Sequence, residues 1–271
     1  MANHIATRNI YQKNIVDTLI GMCGRFSRWQ IWQDFITMVA ISISNAVDKV
    51  HYEEREKLYM NIAGKYSQEE LNKIATMFAN IVSGMEKNTD QDFLGELFMN
   101  LDLGNEWKGQ FFTPYSVCSC MAGILLNDEV PQKIAEKGWV SVNNPACGAG
   151  ALLIAYANEC WKKKINYQSS VLFIAQDIDQ IAGLMCYIQL SLLGCPGYVV
   201  VQNTLTNPAT SNDGRGLLPV DSGNVWYTPM WFSTPWSMRR MITKMDMLFK
   251  SQPQTANECV SVGNEQQLSL F

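Results

Sequence analysis

The stretch with the clearest chemical potential is Asn144-Pro145-Ala146-Cys147-Gly148-Ala149-Gly150. Small side chains at 146, 148, 149 and 150 let the backbone pass close to a ligand. The run from Ala151 to Ala157 follows at once and reads as a helix start, whose unpaired N–H groups can hold a carboxylate or phosphate. A tight corner of an α/β domain uses the same residue types, and the turn alone does not separate these two readings.

The elements around the turn add to it. An apolar run ending near Val142 precedes it, read as a strand over Trp139 to Val142. Val171 to Ala175 is a second buried-strand run and leads into Gln176-Asp177-Ile178-Asp179, which places an acid where an α/β nucleotide site puts its partner for ribose hydroxyls. Gly150 and Asp177 are 27 residues apart, one βαβ unit. A third run, Gly197 to Val201, ends at Gln202-Asn203-Thr204-Leu205. The pattern predicts three parallel strands whose polar ends share one edge of a sheet.

Four blocks in this order carry a resemblance: Gly109-Gln110-Phe111-Phe112-Thr113-Pro114, then Asn144 to Gly150, then Gln176 to Asp179, then Asn203-Thr204-Leu205. Together they resemble the N6-adenine DNA methyltransferases related to the methylation subunits of type I restriction-modification systems. The resemblance implies a doubly wound, Rossmann-like α/β sheet that binds S-adenosylmethionine and acts on DNA. It places Phe112, Thr113 and Pro114 over the methionine part of the methyl donor. The remaining cofactor contacts are expected from Asn144, Pro145, Ala146, Cys147, Gly148, Gly150, Asp177, Ile178, Asn203 and Leu205.

The chain departs from that family in one respect that matters for catalysis. The family's fourth strand ends in Asn or Asp, then Pro-Pro and an aromatic, which grip a flipped adenine. No Pro-Pro occurs here; the nearest strings are Tyr227-Thr228-Pro229-Met230, after a short fourth strand over Asn224 to Tyr227, and Ser233-Thr234-Pro235-Trp236. Tyr227, Thr228 and Pro229 are the candidate catalytic residues. Asn144 and Asn203 stand where the family more often has Asp. Only one stretch of helix, Trp236 to Lys250, follows before the composition turns polar, so an active enzyme is expected to need a second polypeptide, a specificity subunit or another copy, to grip DNA. Against it stands a silent methyltransferase-like module that binds replication or modification partners. Methyl transfer from a sulfonium needs positioning and polarisation, not a nucleophilic thiol, so Cys147 is read as a space-filler.

Residues 1–89 read as an all-helical N-terminal domain, with apolar residues at three- and four-residue steps and a capping box at Ser67-Gln68-Glu69-Glu70. Residues 90–250 form the methyltransferase-like domain and 251–271 a polar tail ending in Gln267-Leu268-Ser269-Leu270-Phe271. That pentapeptide resembles the motif that binds the sliding clamp of bacterial DNA polymerase III; the alternative is that its apolar residues fold back onto the chain.

Composition narrows the classes further. Eight cysteines without a CxxC pair and only two histidines, His4 and His51, argue against a zinc site and against histidine acid–base catalysis. A net charge of −4 over 271 residues argues against a wholly basic DNA-coating protein. The basic clusters Lys162-Lys163-Lys164 and Arg239, Arg240 and Lys244 read first as solvated helix faces. No run has the ~18 apolar residues of a membrane span and no signal-peptide core is seen, so a cytoplasmic location is expected.

Overall fold

A computed structural model describes residues 9–101, 112–210, 213–220 and 223–251. The chain is a mixed α/β protein built on a four-stranded sheet of order β1-β2-β3-β4. The strands are β1 (Val140–Asn144), β2 (Val171–Asp177), β3 (Gly197–Val201) and β4 (Val225–Tyr227). β1, β2 and β3 are parallel, in register from Val140 opposite Val171 to Asp177 opposite Val201. Their carboxyl ends therefore share one edge, as the apolar runs predict. β4 runs the other way, with Tyr227 opposite Tyr198 and Val225 opposite Val200.

Among the described residues the chain opens with α1 (Ile10–Gly21), α2 (Arg28–Val47), α3 (Tyr52–Ala63), α4 (Gln68–Lys87) and α5 (Phe93–Asn100). The capping box opens α4 as read: Glu70 N–H donates to Ser67 Oγ, and Ser67 N–H to Glu70 Oε2. Next come α6 (Tyr115–Leu125) and α7 (Glu129–Lys137). α7 follows the turn-forming residues Asn127 and Asp128 and contains Pro131. Pro131 falls in its first turn, where a missing N–H breaks no helix bond, so proline did not exclude a helix. α8 (Ala151–Lys162) and the short α9 (Tyr167–Ser170) join β1 to β2, and α10 (Gln180–Leu192) joins β2 to β3. α11 (Thr234–Ser251) comes last among the described elements, after a 3-10 turn at Pro229–Phe232.

The strand order advances without reversal among the described residues. Right-handed crossovers made in one direction put their helices on the same face. Accordingly α8 and α10 pack with Val171, Phe173, Ala175 and Val199. The opposite face, carried by Leu172, Ile174, Tyr198, Val200 and Val225, meets no crossover helix. It is covered by Ala209 and Leu217 from the irregular segment after β3 and by Trp139, Trp231 and Trp236. Trp139 and Trp236 meet edge to face at 5.6 Å, and the Trp236 indole donates to the Gln168 carbonyl.

The first five helices share a core with the sheet. Ile15, Trp32, Phe35, Met77 and Phe93 belong to the same buried cluster as Leu153, Phe173, Tyr187 and Trp226. One cation fastens the two parts. Arg55, on α3, pairs with buried Asp48 at 2.9 Å and donates to the β4 carbonyl of Val225 at 2.7 Å. Its guanidinium also lies 4.0 Å from the centre of the Trp226 ring. Removing one member of this buried pair costs up to about 3 kcal/mol, since His51, 2.8 Å from Asp48, keeps the carboxylate partly compensated. Arg55→Ala is expected to lower unfolding stability by about that amount in urea titration.

Candidate functional site

The turn after β1 is shaped by two left-handed glycines, Gly148 at φ 53° and Gly150 at φ 101°. A β-carbon on Gly148 would lie 3.0 Å from the Phe112 ring, and one on Gly150 would lie 2.8 Å from Cys186 Sγ. Both positions thus require glycine for conformation and for space. The turn is pinned to the end of β2: Cys147 N–H donates to the Gln176 carbonyl at 2.9 Å, and Gly148 N–H to Asp177 Oδ2 at 2.7 Å. Asp177 Oδ1 accepts Asp179 N–H at 2.9 Å. Asp179 then caps α10 through Ala182 N–H.

The segment leaving β3 is held against the same edge. Gln202 N–H donates to the Asp177 carbonyl, and Thr204 Oγ1 donates to the Pro145 carbonyl. Buried Gln176 directs this segment with three bonds: its amide donates to the carbonyls of Gln202 and Asn207 and its Oε1 accepts Ala209 N–H. Asn203 Oδ1 accepts Leu205 N–H, and Asn144 Oδ1 accepts Ala146 N–H.

Against the turn lies a cavity of about 340 Å³. Phe112, Thr113, Asn144, Ala146, Cys147, Gly148 and Asp177 line it, together with Asp92 and Cys118. Seven of the expected cofactor residues are therefore brought together. Pro114 faces a neighbouring cleft of about 780 Å³ that shares Asp92, Phe112 and Thr113 with the cavity. Gly150 sits behind the turn against Cys186, and Pro145 is engaged through its carbonyl. Ile178 and Leu205 project from the same sheet edge outside the cavity wall, 71% and 93% exposed, and Asn203 stands beside Leu205. Gln110 and Phe111 lie outside the described residues, as does the peptide Gln267 to Phe271.

Three residues complete this site without having been expected in it, although Gln176 lies in one of the quoted blocks. Gln189, fully buried on α10, donates to the Ala149 carbonyl and to Asp92 Oδ1, both at 2.8 Å, and accepts Leu94 N–H at 3.0 Å. Asp92 caps α5 by accepting Gly95 N–H. Gln176 is the third. The one available signal for Gln189 is its isolation as an amide in the apolar run from Ile181 to Leu190, since a buried amide must find partners.

Thiolate chemistry is disfavoured at Cys186 and Cys118. The Cys147 side chain and then burial push the Cys186 thiol well above its ordinary value, and burial raises Cys118. Both stay protonated near neutral pH, which removes the reactive thiolate.

Tyr227, Thr228 and Pro229 are not brought to this edge. Because β4 is antiparallel, its last residue pairs with Tyr198 near the start of β3, about 10 Å of strand rise from the carboxyl edge. The Thr228 hydroxyl is fully buried, donating to the Cys195 carbonyl at 2.7 Å and accepting Gly197 N–H at 3.0 Å. Tyr227 stacks on Trp231 with ring centres 5.2 Å apart. This string would reach the glycine turn only from a fourth strand parallel to the third, and β4 is antiparallel. The strand that comes to the turn's edge by its amino end instead presents Asn224, whose carbonyl accepts Val201 N–H at 3.1 Å.

No helix among the described residues is long and apolar enough to cross a membrane. No curated protein and no solved structure gave a significant match to this chain. The sequence model of the N-6 DNA methylase family matches residues 89–259, well over half of the chain and the whole of the sheet with its glycine turn. The chain belongs to the N-6 DNA methylase family.

Proposed function

We propose that this protein binds S-adenosylmethionine at the glycine turn and serves as the donor-binding part of an adenine-N6 DNA methyltransferase. The observation that carries the reading is the cavity of about 340 Å³, in which the left-handed turn, Asp177 and the Phe112-Thr113 pair converge. Its volume lies within the usual range of ~300–1,000 Å³ for small-molecule sites. In this arrangement the ribose hydroxyls face Asp177, and the flat base lies at the edge where Ile178 and Leu205 are exposed. The methionine part runs toward Phe112, Thr113 and Pro114. The donor itself supplies an electrophilic methyl group, and the chain supplies position: the left-handed backbone and the Asp177 bond hold the turn in one shape before the ligand arrives.

A second polypeptide, a specificity subunit or another copy, grips the target base in this reading, because Tyr227 to Pro229 lie at the far edge of the sheet. The same observation favours a second reading, a donor-binding module without transfer activity that regulates replication or modification partners. The tail peptide Gln267 to Phe271 tethers either form to the bacterial sliding clamp and keeps it near DNA in the cytoplasm.

Calorimetry with S-adenosylmethionine is expected to show saturable binding, and Asp177→Ala to abolish it; wild-type protein that takes up no donor would end the proposal. Sequencing DNA from expressing cells for N6-methyladenine separates the two readings. A sequence-specific mark is expected for the enzyme, and none, with donor still bound, for the silent module. Deleting Gln267 to Phe271 is expected to abolish recovery with the immobilised clamp, whereas unchanged recovery refutes the tether.

A further inference from the structure

Resting on the reading that the cavity at the turn takes S-adenosylmethionine, we propose that Asp92 is the counter-ion of the donor's α-ammonium group. The donor carries two positive centres, the sulfonium and the ammonium, against one carboxylate, so a closed site for it needs negative charge. Among the described residues, two carboxylates line the cavity, Asp92 and Asp177. Both oxygens of Asp177 accept backbone N–H groups, from Gly148 and Asp179. Asn144 is neutral, and its oxygen is taken by Ala146 N–H.

Asp92 differs from both. It is 3% exposed, and both of its hydrogen bonds, from Gly95 N–H and the Gln189 amide, fall on Oδ1. Oδ2 has no partner among the described residues, and no described lysine or arginine pairs with the carboxylate. A buried carboxylate without a cation is costly, and burial raises its proton affinity. A β-carbon on residue 95 would lie 2.0 Å from Oδ2, so glycine there keeps room around that oxygen. Of the neighbouring acids, Asp90 pairs with Lys162, and Glu96 lines the larger cleft and not the donor cavity.

Geometry selects the ammonium over the sulfonium. Asp92 shares its wall with Thr113 and with Gly148, Ala149 and Ala151, where α8 begins. N–H groups at a helix start favour the methionine carboxylate. The ammonium is attached to the same carbon and then falls on the Asp92 side.

Titration calorimetry on the full chain tests this with three ligands: S-adenosylmethionine, S-adenosylhomocysteine and 5′-methylthioadenosine. The last lacks both the ammonium and the carboxylate. Asp92→Asn preserves the side-chain oxygen that caps α5, and Asp92→Ser is a second variant that also keeps a capping oxygen. The expected result is a loss of about tenfold or more in affinity for the first two ligands, with 5′-methylthioadenosine within about twofold of wild type. Equal weakening of all three ligands would make Asp92 a scaffold residue and overturn the assignment, as would unchanged binding of S-adenosylmethionine. If wild-type protein binds none of the three, the donor reading fails first and this assignment with it.

Discussion

A single buried amide holds the site in register. Gln189 contacts three groups in two segments distant from it in sequence: the carbonyl at Ala149 in the turn, and the N–H of Leu94 and the carboxylate of Asp92 at the start of α5. None of these groups has water to fall back on, so each bond lost would leave a stranded polar atom at a cost of about 1–3 kcal/mol. The turn, the start of α5 and the body of α10 therefore move as one unit. The cavity wall that depends on them is set before any ligand arrives.

The direction of each strand decides what the sheet can present. Three parallel strands bring Asn144, Asp177 and Gln202 to one edge, and main-chain bonds from Cys147 and Gln202 weld the loops there. The antiparallel β4 then turns its last residue away from that edge, where Thr228 and Tyr227 become part of an aromatic floor with Tyr198 and Trp231. Donor-binding features and the string most similar to a base-gripping motif are thus physically separated, even though they follow one another in the usual chain order.

The parallel strands and the glycine turn were legible because local rules determine them. Val171 to Asp177 and Gly197 to Val201 are apolar runs of strand length, and a turn of small residues before a helix start has few alternatives. Ser67 with Glu70 announced α4 for the same reason. The orientation of β4 was not legible, since three residues carry no information about direction and the partner that fixes it, β3, is set by tertiary packing. Asp92, Gln176 and Gln189 were missed because their roles arise between segments up to 97 residues apart. The division at residue 89 followed the end of the first helical series and the start of the family resemblance. The buried cluster continues across that point, because an amphipathic helix records only that one face is covered and not by what.

That continuous cluster bears on how such a chain can be altered over time. Trp32, Phe35 and Phe93 are wrapped around side chains that rise from α8, α10 and the sheet, and Arg55 reaches across to the Val225 carbonyl. A helical half from a distant relative would bring mismatched volumes and a misplaced guanidinium, so recombination at this seam would produce mostly unfolded offspring. Lineages carrying this arrangement are constrained to change by paired substitutions on the two sides of the seam rather than by trading cassettes.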